Sequence, residues 1–498
     1  MNPVLADPPW DNSGVERAGS GGLRFTGLER SLVQMLRRST ERCPDREALV
    51  ELDGARLTYA QLWDAAAAVA GGLAASGVSR GDRVAIRLPN GVDWCLAFFG
   101  ALLAGAIAVP VNTRFRDGEV QHVLDDSGAR YVVEPGRPLP HGDPLVIQDL
   151  GHDDLAALFY TSGTTGAPKG AALSHGNVLS ALEACQRAML LPADGVRTLV
   201  PVPLFHVMGA LNQLLPTCRV AGTTVILPGF DVETWVRTMA AESIDVVSAV
   251  PAIYWQALQL PEFATTDTTG IGWVVYGGAA TPPEQVLRLR EAFPAARLFS
   301  GYGLTETSGG ITGVPHDDAV QRSDSVGVAL PTVELALDGP ELLVRAPQVM
   351  TGYWRNADAT AEVLGDGWLR TGDAAAADPD GFVRIVDRIK DTVVRGGENV
   401  YCIEVENVLA ADPTVGEVAV IAVPDEQLGE RVGAVVVAAA GAHVDPLELV
   451  RSAATQLAGF KVPDYVHVRS EPLPRNASGK VLKPLVRAEA SWGDLLRR

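Results

Sequence analysis

A chain of 498 residues, 47% hydrophobic and 20% charged, has material for packed cores and, at roughly 100 to 200 residues per domain, for more than one domain. Its net charge of −19 would repel a phosphate backbone over most of the surface, which argues against a nucleic-acid binder and confines any anionic ligand to a local pocket. Cys43, Cys95, Cys185, Cys218 and Cys402 are scattered and odd in number, unlike a disulfide framework or a spaced zinc site, and suit a reducing cytoplasm.

Residues 1–25 contain Pro, Gly and acidic residues but no apolar run, so they read as a flexible arm rather than a secretory signal. Next, "LTYAQLWDAAAAVAGGLAASG" predicts a helix, and "DRVAIRL", "AIAVPVN" and "RYVVEP" predict strands. The run "WCLAFFGALLAGAIAVPV", from Trp94 to Val111, approaches spanning length but is interrupted by Gly100, Gly105 and Pro110. It reads as a buried helix followed by a buried strand, with no membrane span.

The stretch "YTSGTTGAPKG", Tyr160 to Gly170, combines small hydroxyl donors, three glycines and Lys169. Glycines let backbone N–H groups approach an anion, and Ser/Thr hydroxyls add donors at the same distance. It is not a Walker A loop, because Pro168 stands where the second glycine should be. Taken alone it could also be a polar turn between a strand, "LAALFY", and a helix, "HGNVLSALEACQRAML".

Strand-like "RTLVPVP", "GTTVILP" and "IDVVSAVP" and helix-like "PPEQVLRLREAF" continue an alternation that predicts α/β layering with largely buried sheets. After "DGFVRIVDRIKD", a region of about a hundred residues has its own strands ("GEVAVIAVPD", "RVGAVVVAAA") and helix ("DPLELVRSAATQLAGF"), enough for a small domain. Four more stretches carry candidate chemistry: "YGGAATP", "GYGLTET", "RTGD" and "RNASGK". Singly, each has a plain explanation: Tyr302 as core, Asp373 as a turn or cap, Lys480 as a solvated lysine.

Together, and in order, "YTSGTTGAPKG", "PLFHVMGA", "YGGAATP", "GYGLTET", "WLRTGD", "DRIKDTVVRGGENVYCIEVE" and "LPRNASGKVLK" resemble the adenylate-forming superfamily of acyl-CoA synthetases, adenylation domains and luciferases. The resemblance runs from about Leu32 to Arg487. It implies a large N-terminal α/β domain of several subdomains with buried sheets (26–386), a hinge (387–390) and a small mobile C-terminal α+β domain (391–498). It implies an acyl-CoA synthetase using ATP and Mg²⁺ to turn a carboxylic acid into acyl-AMP with release of pyrophosphate. Coenzyme A then takes the acyl group.

In family terms Thr161, Ser162, Gly163, Thr164, Thr165, Gly166 and Lys169 form a lid over the β and γ phosphates, and Thr305 contacts the α-phosphate. Glu306 helps hold Mg²⁺, and Lys480 bridges carboxylate and phosphate. Asp373 accepts from both ribose hydroxyls, Arg388 adds a ribose contact, and Tyr302 with Gly277, Gly278 and Ala279 encloses adenine, next to Gly303. A carboxylate suits a diol because it only accepts. Lys390 falls at the hinge, and Gly396 and Gly397 leave space for a slim pantetheine arm. Cys402 stands where a proline is usual. It reads as a buried structural thiol rather than a nucleophile, since the acyl group already has AMP as its leaving group.

The acyl pocket implied by the resemblance involves His206, Val207, Ala249, Tyr276, Gly278, Gly303 and Gly309, mostly small, apolar or uncharged. No aspartate near "LFHVMGA" could hold an α-ammonium, and Asp231 comes too late in the chain and reads as a helix start, so an amino acid is disfavoured. Gly278, Gly303 and Gly309 suggest a channel for an aliphatic chain, with an aryl acid as competitor. His206 has two readings, pocket gate or core histidine; the gate is favoured because the family places an aromatic or histidine there, and the residue is grouped with Lys480, Glu306 and Thr305 around the reaction.

No carrier domain follows Lys480 and no insertion follows "GVALPTVELALDGPELLVRAP", which tilts the acceptor toward coenzyme A. The alternative is an acyl- or aryl-AMP ligase that loads a separate carrier protein. A non-catalytic relative would be expected to have lost Lys480, Glu306 or Asp373, and all three are present. The oligomeric state, a homodimer included, is left open.

Overall fold

The computed structural model describes residues 1–4, 8–19, 21–161, 167–279, 281–475, 481–493 and 495–496. Of the candidate site, Ser162, Gly163, Thr164, Thr165, Gly166 and Lys480 lie outside the described residues.

Two sheets organise the large domain. The first runs in the order Val328–Ala329, Gly309–Val314, Arg297–Leu304, Trp273–Gly277, Val246–Ala249, Arg197–Val200, Thr223–Ile226, Glu47–Glu51 and Arg56–Thr58. Six of its strands are parallel; two further strands in antiparallel pairing extend one side, and one antiparallel strand closes the other. The second runs Gly352–Tyr353, Lys169–Ser174, Leu155–Thr161, Ile107–Pro110, Arg83–Ile86 and Tyr131–Val133. Buried parallel strands read as continuous apolar runs, which is why "DRVAIRL" and "IDVVSAVP" were legible.

Helices pack between and around these sheets, and their starts are written in the caps. Ser31 accepts from the Gln34 N–H ahead of Leu32–Arg42, and Thr58 with Gln61 and Ser174 with Asn177 form reciprocal capping boxes ahead of Tyr59–Ala75 and His175–Met189. The helix Val92–Leu103 is apolar and buried apart from the exposed Asp93 in its first turn, with Trp94 and Phe98 stacked at 5.1 Å. The strand Ile107–Pro110 follows it, as the interrupted apolar run predicted. Asp231 caps Val232–Ala241 by accepting from the Thr234 N–H at 2.8 Å.

Three expectations need correction. The hydroxyl-rich loop leads into a further strand, Lys169–Ser174, antiparallel to Leu155–Thr161, before the helix starts; the small residues of "KGAALS" carry little strand propensity. "DPLELVRSAATQLAGF" is helical only over Pro446–Ala453, because the Thr455 hydroxyl bonds the Ser452 carbonyl and competes with the backbone ladder. The N-terminal residues read as a flexible arm are instead docked. Asn2–Val4 adds a strand beside Glu334–Asp338, Val15–Arg17 and Leu23–Phe25 form a hairpin, and the Trp10 indole donates to the Ala329 carbonyl at 2.8 Å.

A third, antiparallel sheet of the large domain ends in the paired strands Trp368–Ala377 and Val383–Arg388. A single 3-10 turn, Ile389–Asp391, leads from Val383–Arg388 to Val393–Arg395, the first strand of a separate sheet. That sheet, with Gly429–Ala438 at its centre, is covered by the helices Cys402–Ala410 and Pro446–Ala453 over a core of its own. The molecule is therefore a large α/β domain and a small α+β domain joined by one turn. Among the described residues no helix is long and apolar enough to cross a membrane.

Candidate active site

In an open parallel sheet, ligands gather where the strands end at their carboxyl side. Here the strands Arg197–Val200, Val246–Ala249, Trp273–Gly277 and Arg297–Leu304 run parallel and deliver the segments 201–206, 250–253, 277–279 and 303–306 to one rim. The register between Arg297–Leu304 and Gly309–Val314 shifts between Tyr302 and Gly303. Such a bulge next to a rim re-aims the side chains on either side of it.

A cleft of about 850 Å³ opens there, and its lining includes Thr161, Lys169, His206, Gly303, Thr305, Glu306, Tyr353, Arg388 and Lys390. Residues nearly 230 positions apart thus face one space. Asp373 lies opposite Arg388 in the strand pairing, and the Arg388 Nε meets its Oδ1 at 2.6 Å. The Tyr302 hydroxyl donates to the other oxygen, Oδ2. Burial first, then the adjoining Asp373 charge, pushes the Tyr302 phenol well up, so it remains a donor. Burial also pulls the Lys390 ammonium down.

Glu306 faces the cleft from the turn Thr305–Thr307, and its Oε1 accepts from the Tyr353 hydroxyl at 2.7 Å. The Lys169 Nζ lies 5.2 Å from the centre of the same Tyr353 ring. Tyr353 was not singled out from the sequence. The only signal for it was an aromatic directly after a glycine in the polar stretch "TGYWRN".

His206 forms part of the wall of this cleft and of a second one, about 770 Å³, whose lining includes Arg114, Phe205, Met208, Val250, Ile253 and Trp255 with Glu417 and Arg475 of the small domain. Its Nε2 is buried without a partner among the described residues, and burial, helped by the Arg114 charge, pulls the imidazole down to about 4. His206 is therefore neutral at neutral pH. It precedes a helix that widens into a π-turn over Ala210–Leu214, a departure that recurs at functional sites.

Other sequence-derived positions are placed differently. The Ala249 and Tyr276 side chains are fully buried in a core with Trp235, Tyr254 and Phe293 and line neither cleft, and Val207 is buried in the main core. A Cβ on Gly303 would overlap the Gly309 carbonyl, and one on Gly309 would strike the Asn212 side chain. Both glycines mark close backbone approach; Gly303 still lines the first cleft, whereas Gly309 lines neither. Only Gly278, at positive φ near Met208 and Val250, retains open space beside it. Gly277 packs against Gly301, and Ala279 is exposed. Gly396 and Gly397 occupy an exposed turn of the small domain and line neither cleft. Cys402 is fully buried, its thiol donating to the Asp391 carbonyl at 3.0 Å, and burial raises its pKa strongly.

A model of AMP-binding enzymes matches residues 36–144 and 135–354, and a model of the AMP-binding enzyme C-terminal domain matches residues 404–480. A long-chain-fatty-acid–CoA ligase of Mycobacterium tuberculosis is 34% identical over 498 residues, spanning 92% of this chain and 98% of the relative. A feruloyl-CoA synthase of Amycolatopsis sp is 37% identical over 466 residues, spanning 87% and 94%. The structure of o-succinylbenzoate CoA synthetase from Bacillus subtilis with its acyl-adenylate intermediate has a TM-score of 0.84 at 28% identity, covering 94% of this chain and 100% of that one.

Proposed function

This chain belongs to the AMP-binding enzyme family, and from that premise we propose how its residues divide the work of an acid–thiol ligase. The enzyme activates a carboxylic acid with ATP to acyl-AMP, releasing pyrophosphate, and transfers the acyl group to coenzyme A. The observation that carries the residue assignments is the convergence of Thr161, Lys169, Thr305, Glu306 and the Asp373–Arg388 pair on one cleft.

The chemical difficulty is bringing a carboxylate onto a phosphate that is already anionic. A carboxylate oxygen bonds to the α-phosphorus as the bond to the pyrophosphate oxygen breaks. Fixed positive charge in a cleft with few waters lowers that barrier, because little has to reorganise. Lys169 supplies such charge at the β and γ phosphates, with the loop 162–166 as its lid. Thr305 takes the α-phosphate, and Asp373 and Arg388 take the ribose. Tyr302 and residues 277–279 enclose the adenine ring. Lys480 brings the second cation. Arg475 of the small domain lines the second cleft with His206.

Mg²⁺ accompanies ATP, and the donor set fits it. Mg²⁺ keeps several waters and binds through one or two carboxylates plus substrate phosphates. Glu306 offers one such carboxylate beside Thr305, and among the described residues no cluster of three or more His, Cys, Asp or Glu would cage a metal alone. When bound, the ion offsets phosphate charge.

The thiol of coenzyme A attacks the acyl carbon, loses its proton and displaces AMP. Neutral His206 stands between the two clefts, so the second cleft gives a path to the acyl carbon from the side away from AMP. In this reading the small domain turns at Lys390 between the half-reactions and carries Gly396 and Gly397 to that path.

The acid is aliphatic, in keeping with the apolar Phe205, Met208, Val250 and Ile253 beside His206. An aryl acid is the second reading, favoured by the feruloyl-CoA synthase relative. A separate carrier protein is the alternative acceptor. The test is mass spectrometry of the purified protein with ATP, Mg²⁺ and panels of aliphatic, aryl and amino acids, with and without coenzyme A. Acyl-CoA from aliphatic acids is expected. Acyl-AMP accumulating without a CoA thioester would overturn coenzyme A as acceptor, and preference for aryl acids would overturn the assignment of the acid.

A further inference from the structure

The short strand Gly352–Tyr353 touches two parts of the nucleotide cleft that are distant in sequence. On one side it pairs with Lys169–Ser174, Ala171 opposite Tyr353 and Ala172 opposite Gly352, and the Trp354 N–H donates to the Gly170 carbonyl at 2.7 Å. On the other side the Met350 N–H donates to the Glu306 carbonyl at 2.7 Å, and the Tyr353 hydroxyl donates to the Glu306 carboxylate at 2.7 Å. The Lys169 ammonium lies over the Tyr353 ring, 5.2 Å from its centre. The strand itself is held from behind. Gly352 has a positive φ, a Cβ there would crowd Thr360, and the Thr360 hydroxyl accepts from the Tyr353 N–H at 2.9 Å.

We propose that Tyr353 is a positioning residue that locks Glu306 and Lys169 into one fixed relation, so that carboxylate and cation meet Mg²⁺ and triphosphate as a unit. The inference rests on the roles proposed above for Glu306 and Lys169. A carboxylate free to choose among rotamers must be ordered each time the ion binds. One already fixed by a charge-assisted hydrogen bond is ordered beforehand. The ring face meanwhile holds the ammonium by cation–π attraction and keeps it from closing on Glu306. A Lys169–Glu306 ion pair would neutralise both groups before ATP arrived. Burial, then the Glu306 charge, raises the phenol's pKa, which keeps it a donor through the neutral range.

Tyr353→Phe removes the hydroxyl and keeps the ring, whereas Tyr353→Leu removes both. The measurement is calorimetric binding of ATP to the whole protein at graded Mg²⁺, which needs no knowledge of the acid. Thioester formation from supplied acyl-AMP and coenzyme A, which uses neither metal nor triphosphate, serves as the control. For Tyr353→Phe, the Mg²⁺ needed for half-maximal ATP binding should rise about tenfold, the size expected for losing a hydrogen bond to a charged group. Excess Mg²⁺ should restore ATP affinity in that variant. Tyr353→Leu should additionally bind ATP several-fold more weakly at saturating Mg²⁺, with the control reaction reduced less than ATP binding.

An unaltered Mg²⁺ requirement in Tyr353→Phe overturns the proposal. So does an equal loss of ATP binding and of the control reaction, which marks a merely structural tyrosine. Failure of the unaltered protein to bind ATP with Mg²⁺ would overturn the nucleotide-site reading itself, an outcome read before any variant is compared.

Discussion

Lys480→Ala should reduce acyl-AMP formation by orders of magnitude while barely slowing thioester formation from supplied acyl-AMP, since its charge is needed only where two anions meet. The two half-reactions assayed separately decide this, and equal loss in both would remove the role. At this scale the sequence was legible where a residue type has one chemical use. Lys169, Glu306, Asp373 and Arg388 were named from motifs, and the structure gathers Lys169, Glu306 and Arg388 into one cleft with Asp373 bonded to Arg388. It was misleading where one residue type has two uses. Gly309 looked like room for a ligand but accommodates the Asn212 side chain and lines neither cleft. A glycine says that something comes close without saying what.

Between the two domains, alternation along Val383–Arg388 sends Arg388 to Asp373 and the cleft, and Asp387 the opposite way, toward the small domain. Buried Asp387 accepts from the Cys402 N–H, at the start of the helix Cys402–Ala410, and from the Arg388 N–H at 2.7 Å. On the same helix Glu406 meets Lys483 at 2.9 Å. Burial works against the Lys483 charge, but Glu406, Cys402 and Asp387 outweigh it and hold its pKa above the usual value. Asp387→Ala should therefore loosen the connecting turn without unfolding either domain. Limited trypsin digestion should cut after Arg388 or Lys390 about tenfold faster, consistent with the loss of hydrogen bonds to a charged acceptor. An unchanged cleavage rate would mean that the turn is held by other contacts. None of this was visible in "DRIKD", because a hydrogen bond across fifteen residues leaves no local pattern.

For the molecule as a whole, the alternation of strand and helix was readable, since buried parallel strands are apolar throughout and helices announce themselves by caps. The docking of the first residues was not, because an edge strand of three residues depends on its partner. Acid stability should also be set by buried histidine. His175 joins the helix His175–Met189 to Leu32, whose N–H donates to Nδ1 at 3.2 Å, and burial lowers its pKa to about 4 from 6.5. The folded state then binds fewer protons than the unfolded one between those values. Stability is full above pH 6.5 and falls as the pH drops toward 4, by about 3 kcal/mol at ~1.4 kcal/mol per unit. Urea midpoints measured from pH 7 to 4.5 should fall less steeply in His175→Asn than in the unaltered protein. Parallel curves would assign the loss to other groups.

The Asp387 contact has a kinetic meaning as well. If the small domain turns at Lys390 as proposed, it must first free the first N–H of its helix from a carboxylate on the far side of the turn. Each turnover would then include a waiting time, the lifetime of that buried bond, during which acyl-AMP is already made and sheltered from water. Adenylation and thiolation would be ordered by a delay rather than by a signal, and the delay would be a property of one aspartate that touches no substrate.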